Sequence, residues 1–403
     1  MRPLSLWPVV VIILLGVLIA REPRLQRVDD VLLYWFMANA VSELQPAAVT
    51  LVEVGRDDSP TTSERKPAPK GAAAQRSFSP LELALFLQAA LDFQPAVIGF
   101  EPILIWRERD KDQEQLFTDQ AMRVPKLLVA MELGGKGPRD LKVDDIPTLP
   151  QVTGERGHLA EFTGVSHRPG DDIRLISTPG FINLPNDRSD RIRVPMLLEY
   201  RGEIVPSFPL QAIMLWLRAT PADIRIELGS HILLPNGWRI PLHRDGTTKV
   251  NPAAARSVRR LTLNQLLLAA QERSSHSPPT MDLTSLKGQI ILLRLADDPL
   301  QPPNIFSTAI ATVQSNAYLR AVPWFYDWLI ILLAAAAAPW LERISKSTSL
   351  LVALALSAGY GLLALSLLES NRIWLPTFLP LALLWTLILV RLFVSPAPLA
   401  SRQ

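Results

Sequence analysis

The sequence predicts an α/β domain held by four membrane-spanning helices, one before the domain and three after it. Three observations predict this. Four segments, Leu4 to Ala20, Trp324 to Leu341, Leu350 to Leu368 and Ile373 to Val390, hold 72 of the 403 residues, and 59 of those 72 are apolar while only Asp327 is charged. Each approaches the ~20 apolar residues that an α-helix needs to cross ~30 Å of hydrocarbon, with flanking residues able to snorkel where a segment is short. The other 331 residues carry 78 of the 79 charged side chains, a composition ordinary for a soluble domain. Along the long middle stretch, strand-like and helix-like runs alternate, which predicts a mixed, mostly parallel sheet with flanking helices. This distribution argues against a cytosolic enzyme, a wholly hydrophobic channel and a disordered chain.

The first segment has two readings, a cleaved signal peptide or a retained anchor. Pro8, and Leu18 where a cleavage site wants a small residue, favour the anchor. Ala47 to Val54 then reads as a strand, because Val49, Leu51, Val52 and Val54 make a β-branched, apolar run. Ser79 is a natural N-cap and Pro80 suits the first helical position. Leu83, Phe86, Leu87, Ala90 and Leu91 follow at helical spacing. Ala96 to Ile105 is a second strand, Gln113 to Met122 a second helix and Lys126 to Met131 a third strand. Further on, Ile192 to Tyr200 and Gln289 to Leu295 read as strands, Pro209 to Leu217 as a helix, and Ser307 to Leu319 as a helix entering the membrane region. Arg56 to Ser77 and Gly134 to Gly157 are polar, Pro- or Gly-rich surface loops. No internal repeat is visible.

Trp324, Phe325, Tyr326 and Trp328 cluster at the start of the second apolar segment, where amphipathic rings favour the interface; Trp340 and Trp374 mark other ends. Asp327 sits in that belt and reads as an interfacial acid reaching water rather than a functional carboxylate in the bilayer. Basic residues near the span ends tie, five against five. Long translocated domains escape the positive-inside rule, however, and discounting the flanks of residues 21–323 leaves Arg2, Arg343, Lys346, Arg391 and Arg402 against Arg372 alone. The expected arrangement is a multi-pass protein of the cell inner (plasma) membrane. Residues 1–20 form the anchor, 21–323 a periplasmic or extracellular domain, 324–395 a three-helix bundle and 396–403 a short tail, with both termini cytoplasmic. The lack of cysteine is neutral about redox compartment.

The order of these landmarks resembles the second type of CHASE domain, an extracellular sensor associated with cyclases, histidine kinases and Ser/Thr kinases. Val97 to Glu101 (VIGFE) is similar to the family's apolar strand ending in Gly-Phe-Asp. Gly180 to Asn183 (GFIN), followed by Asp187, Asp190 and Arg193, resembles its Gly-Phe-x-Asn stretch and acidic, arginine-containing turn. Ser207 to Ala212 (SFPLQA) is similar to the helix start after that turn. Leu286 to Leu293 (LKGQIILL) and Thr312 to Ala317 (TVQSNA) resemble the strand and helix that lead into the three spans. The resemblance covers nearly the whole chain. It departs at Gly55, where the family has an aspartate, with Asp57 and Asp58 displaced; at Arg76, all that remains of a Trp-Pro-Trp-Arg stretch; at Glu101 for Asp; and in Arg294 to Pro303. Only Arg391 to Gln403 follow the last span, too few for a cyclase or kinase domain.

No enzyme is expected. His-Glu-x-x-His and the nucleophile elbow are missing, and Gly134-Gly135-Lys136-Gly137 lacks the Ser or Thr that would hold magnesium. Ser63 to Lys66 has the Ser-x-x-Lys spacing, but in a polar loop that would not hold an attacking hydroxyl in place. His158, His167, His231, His243 and His276 are scattered without ligand spacing, so no metal, cofactor or catalytic residue is expected. Glu101 is the most interesting polar residue, because carboxylates at the C-terminal ends of parallel strands lie where α/β sheets bind ligands; the competing reading is a salt bridge to an arginine. Asn316 reads as a cap or a crosslink. A net charge of +3 without a basic aromatic stripe gives nucleic acid no footing. The resemblance implies a sensor that binds an unknown small ligand and signals through its C-terminal helices to a separate effector. The alternative is an envelope scaffold or a subunit of a membrane complex. The expected partners are the membrane, that effector and, through small-residue faces such as Ala353, Ser357 and Gly361 or Ala334 to Ala338, a second copy of the chain.

Overall fold

The computed structural model describes residues 7–21, 23–39, 44–55, 79–106, 110–135, 146–185, 192–296, 304–322, 325–341 and 345–393. The chain divides into two compact units, Met1–Ser42 with Leu319–Gln403, and Glu43–Tyr318.

The first unit is helical. It contains α1 (Trp7–Arg21), α2 (Pro23–Asn39), α9 (Phe325–Leu341), α10 (Lys346–Asn371) and α11 (Phe378–Phe393). Ile12, Ile331, Ala335, Leu383 and Ile388 share its core, and Ala353 joins from α10. Close approach of α1 and α9 depends on Gly16, whose added Cβ would lie 2.7 Å from Ile331. Along α10, Ala353 is buried, whereas nothing approaches within 4 Å of a Cβ built at Gly361, so the small-residue row packs at one end only.

The sequence expects four spans. Among the described residues one helix, over Lys346–Ser370, is long and apolar enough to cross a membrane. Helices α1, α9 and α11 have 15, 17 and 16 residues, and at ~1.5 Å per residue each covers less than ~30 Å. The last segment also starts later than its hydropathy indicates. Arg372 turns left-handed (φ 55°) and ends α10, Ile373–Trp374 pairs with Arg320–Ala321 as a short parallel strand, and α11 begins at Phe378.

The second unit is built on a seven-stranded sheet of β1 (Val49–Val54), β2 (Val97–Phe100), β3 (Leu127–Gly134), β4 (Gly164–His167), β5 (Thr178–Phe181), β6 (Arg259–Thr262) and β7 (Ile290–Leu295). Its order is β6-β1-β7-β2-β3. The free edge of β3 pairs in parallel with β5 over its first half and antiparallel with β4 over its second. All pairs but β3–β4 are parallel, so the expected α/β class holds. Ile290 to Leu293 are all fully buried, as befits a central strand covered on both faces.

Helices α3 (Pro80–Leu91), α4 (Lys111–Met122), α5 (Asp171–Leu175) and α7 (Leu263–Ser274) accompany α6 (Phe208–Leu217) and α8 (Ile305–Gln314). One core, with Phe86, Phe100 and Leu293, lies between the sheet and α3, α4 and α7; the other, with Leu51, Phe208 and Phe306, lies under α6 and α8. Ser79 caps α3 as expected, its hydroxyl accepting from Leu81 N at 3.2 Å. The α7 helix, absent from the sequence reading, has a capping box in Thr262 and Gln265.

Three predicted elements are corrected. The strand expected over Ala96 to Ile105 stops at Phe100, because Pro102 has no N–H to donate. Ile192 to Tyr200 is two strands. Arg193–Pro195 pairs with Thr247–Lys249, and Leu197–Tyr200 turns back through Arg201 (φ 51°) and Gly202 (φ 83°) to pair with Glu203–Pro206. The helix expected over Ser307 to Leu319 is Ile305–Gln314, ended by Asn316 at φ 47°. Asn316 N donates to Val313 O and Ala317 N to Thr312 O, the paired bonds of a Schellman motif. Asn316 is thus a helix-ending residue. The loop over Gly134 to Gly157 contains the end of β3 and a short strand, Val152–Thr153. Arg56 to Ser77, Ser63 to Lys66, Lys136, Gly137, Asp187 and Asp190 lie outside the described residues.

Phe208 is the main bridge between α6 and the sheet. A Cβ at Gly180 would lie 2.7 Å from Phe208 and 2.9 Å from Leu128, and a Cβ at Gly99 would lie 2.7 Å from Leu292 and 3.4 Å from Phe208. Gly180→Val forces these side chains apart, and such overpacking costs about 1–3 kcal/mol. Chemical denaturation of the purified chain should therefore show a lower midpoint for Gly180→Val; an unchanged midpoint would contradict the close seat.

Candidate functional site

Two helices aim their N-termini at the C-terminal edge of the sheet. The end of α6 is held at the opposite edge: Lys126, just before β3, donates Nζ to Leu215 O at 2.5 Å, and Trp216 Nε1 donates to Gly288 O, before β7, at 3.0 Å. Burial, and then Arg218, lower the Lys126 pKa from its ordinary value. The end of α8 is held there too, by Gln314 Nε2 donating to Ala48 O at 3.3 Å. Both helices therefore run antiparallel to the strands. Their starts meet where Phe208 and Phe306 pack with ring centroids 5.4 Å apart.

Three charged residues end adjacent strands at this edge. Glu53 on β1 stands in register with Arg294 on β7. Glu101 follows β2, and its N–H donates to Leu293 O at 3.0 Å. Strand alternation puts all three on the α6 and α8 face: Leu51, Leu292 and Val97 belong to that core, and each charged residue lies an even number of positions further on. They are buried, with exposures of 8% for Glu53, 3% for Arg294 and 1% for Glu101. The Arg294 Nη1 donates to Asn304 Oδ1, at the left-handed residue (φ 64°) that opens α8, and Arg294 Nε has no hydrogen-bond partner among the described residues. At the start of α6, Ser207 (1% exposed) stands at the N-cap without capping it, and its Oγ and the Gln211 Oε1 one turn on are likewise unpartnered.

Burying a guanidinium is costly unless charge and hydrogen bonds compensate it, and orphaned polar atoms cost about 1–3 kcal/mol each. Their concentration where parallel sheets bind ligands singles this edge out. Glu101 was legible from sequence by its place at a strand end. Glu53, Arg294, Ser207 and Gln211 were not. For Glu53 and Arg294 the signal was a charge one residue from the end of a mostly apolar strand, visible only once the strand order places β1, β7 and β2 side by side.

Other stretches prove structural. Asn183 hydrogen-bonds both backbone groups of Leu133: its Oδ1 accepts from Leu133 N at 2.8 Å and its Nδ2 donates to Leu133 O at 2.9 Å, beside the irregularity where β3 changes partner. Gln289 accepts from Thr50 Oγ1 at 2.9 Å, and Thr312 Oγ1 accepts from Asn251 N at 3.1 Å. Near a shallow depression of about 380 Å³ lined by residues including Thr153, Ile226 and His231, Ser230 Oγ and Glu227 Oε2 approach one His231 ring nitrogen, Nδ1, at 2.9 and 3.6 Å. A proton relay needs the two ring nitrogens to have different partners, so this trio is not one.

The helical unit has its own half-buried acid. Asp29 on α2 accepts from Thr377 N at 2.9 Å, Thr377 Oγ1 at 3.1 Å and Phe378 N at 2.9 Å, and so caps α11 from 348 residues away. Burial raises its pKa, against the lowering by these hydrogen bonds. Close by, Tyr360 donates its hydroxyl to Pro376 O at 2.6 Å.

The site thus lies at the strand ends of a mostly parallel α/β unit, in a chain that also carries a helical unit with one long apolar helix. The family model described as CHASE2 domain matches residues 10–338, and the chain belongs to this family of extracellular sensor domains. The searches of curated proteins and of solved structures gave no match.

Two substitutions check these contacts. Asn183→Ala leaves a buried N–H and C=O of β3 unpaired and should lower stability by about 1–3 kcal/mol in a thermal melt, while Asn183→Asp, which accepts but does not donate, should fall between. Asp29→Ala should cost about 1 kcal/mol and Asp29→Asn almost nothing, because asparagine caps as well as aspartate; equal melting temperatures for all three chains would rule the cap out.

Proposed function

We propose that this chain is a membrane-anchored sensor whose extracytoplasmic α/β domain takes a small ligand at the C-terminal edge of its sheet and passes the change through its C-terminal helices to a separate effector protein. The observation that carries the reading is the buried group of Glu53, Glu101 and Arg294 at that edge, in a chain of a sensor family. Ligand binding there would act on the starts of α6 and α8, both of which meet the site. The protein crosses the membrane four times, with both termini cytoplasmic; the apolar helix Lys346–Ser370 supports one crossing directly, and the apolar stretches of α1, α9 and α11 support the others. The Asp29 cap supports a route for the signal, because it ties α2, which follows the first span, to the start of α11. Binding without catalysis suffices for this role.

An envelope scaffold is the second reading, and Leu81 and Leu85, exposed one turn apart on α3, favour it. A small-molecule screen by thermal shift separates the two: a ligand present at 100 times its Kd stabilises the folded chain by about 2.7 kcal/mol. No shift from any compound, together with a copurifying partner bound to the α/β domain, would move the assignment to the scaffold.

Topology has its own test. The sequence has no cysteine, so Thr62→Cys gives a single thiol. It should react with a membrane-impermeant reagent in intact cells, and labelling only after lysis would overturn the extracytoplasmic placement.

A further inference from the structure

The face of the sheet opposite α6 and α8 carries a surface that the strand-end group does not use. Helices α3 and α4 lie side by side on it. Each links two parallel strands, so they run the same way, and their starts are joined where Ser79 Oγ donates to Gln113 Oε1 at 2.9 Å. Beneath them Phe86, Phe100 and Phe117 pack in a row, with ring centroids 5.7 and 6.0 Å apart. Helical spacing leaves Leu81 and Leu85 on the side of α3 opposite its buried Leu83, Phe86 and Leu87. Leu116, one turn beyond Gln113, stands on the flank of α4 nearest α3. Leu81 and Leu116 therefore line one groove at nearly one level, with Leu85 a turn further along. The three are 39%, 40% and 42% exposed for Leu81, Leu116 and Leu85. An apolar run of this kind, rimmed by polar residues, marks an interaction site where single exposed leucines would not.

Charge decides what covers the groove. Asp112 and Asp119, both exposed on α4, stand one turn to either side of Leu116, and the exposed Glu82 flanks Leu81 and Leu85 on the far side. Asp119 accepts from Gln115 Nε2 at 2.7 Å, a bond to a neutral group that leaves its charge in place. Of the nearby cations, Arg123 lies at the far end of α4 with its guanidinium on Gln120 Oε1 at 3.0 Å, and helical spacing puts Lys111 on the flank of α4 away from α3. This acidic rim repels anionic lipid and the phosphates of nucleic acid. A two-fold pair of chains would set the rim against itself, because such an interface uses the same patch on both copies. A basic partner is attracted instead. An apolar seam between two helices is the shape on which an amphipathic helix lays its apolar face, and the seven-residue step from Asp112 to Asp119, about 10 Å, matches cations two turns apart on such a helix. We infer that the α3–α4 groove docks a basic amphipathic helix of a partner protein, its apolar side chains among Leu81, Leu85 and Leu116 and its Lys or Arg side chains against Asp112, Asp119 and Glu82.

The test uses the full chain in micelles of an uncharged detergent. The sequence has no cysteine, so Gln88→Cys, on the exposed side of α3 a turn beyond Leu85, takes one environment-sensitive fluorophore and reports on the groove; Leu268→Cys, exposed on α7, is the control. The probes are synthetic peptides about four helical turns long: one with leucines at helical spacing and lysines on its other positions, one with glutamate in place of lysine, and a scrambled lysine peptide. The lysine peptide should shift the emission at Gln88→Cys to saturation and leave Leu268→Cys unchanged, while the other two bind at least about tenfold more weakly. Asp112→Lys with Asp119→Lys should weaken the lysine peptide about tenfold and let the glutamate peptide bind, since two exposed ion pairs become two repulsions. Circular dichroism and the melting temperature report whether this chain folds; if it does not, Leu116→Ser, which keeps the acidic rim, should weaken the lysine peptide about tenfold and decides. Equal response to all three peptides, or unchanged affinity for the lysine peptide in these variants, overturns the inference. So does an emission change on raising the protein concentration without peptide, which would put a second copy in the groove, or a response to anionic vesicles alone. Peptide at the groove and compound at the strand ends give separate signals, so failure here leaves the sensor function standing.

Discussion

The seat of one phenyl ring decides much of this domain. Phe208 lies over Gly99 of β2 and Gly180 of β5, in space that any Cβ would fill. Because the ring is pinned from below, the first turn of α6 has one place to start, at the C-terminal edge of the sheet. From there the helix runs to Leu217, and the Lys126 ammonium meets the Leu215 carbonyl in its last turn. The pairing with Phe306 then fixes where α8 begins, and with it Asn304 and the Arg294 that Asn304 holds. The polar edge thus inherits its geometry from a hydrophobic contact, which suits burying charge: a packed core moves little, so a guanidinium and two carboxylates held by it keep their places.

Short stretches far apart in sequence acquire a common reason in this light. The VIGFE strand supplies Gly99, GFIN supplies Gly180 and Asn183, and SFPLQA supplies Ser207 and Phe208. They meet around one ring. The glycines are steric relief, Asn183 replaces a missing strand partner, and TVQSNA ends a helix through Asn316 and anchors it through Gln314. Most of what makes the family recognisable is therefore packing and backbone satisfaction. The charged edge is built on that frame from residues outside those stretches, apart from Glu101, Ser207 and Gln211.

How much was legible in the sequence follows from the range of the forces involved. The α/β class, the α3 cap and the first three strands rest on local periodicity and on single residues such as Ser79 and Pro80, so they could be read directly. Strand order could not. Nothing local says that Ile290–Leu295 inserts between Val49–Val54 and Val97–Phe100, yet that insertion alone brings Glu53, Arg294 and Glu101 together. The strand that stops short of Pro102 and the late start of α11 fail for the opposite reason. Hydrophobicity continues across both points, and a missing N–H in one case and a left-handed Arg372 in the other interrupt the backbone where the apolar pattern does not.

The Asp29 cap has a consequence for how the molecule is made. Helix α11 begins with N–H groups whose acceptor was synthesised 348 residues earlier, an interval of about 20–70 s at ordinary elongation rates of ~5–20 residues per second. Until then the Asp29 carboxylate lacks these donors, and the helical unit lacks its central Leu383 and Ile388. The α/β unit, whose residues run from 43 to 318, is complete well before that moment. Synthesis thus orders assembly: the α/β unit can fold on its own schedule, and the helical unit closes last, when the final helix emerges.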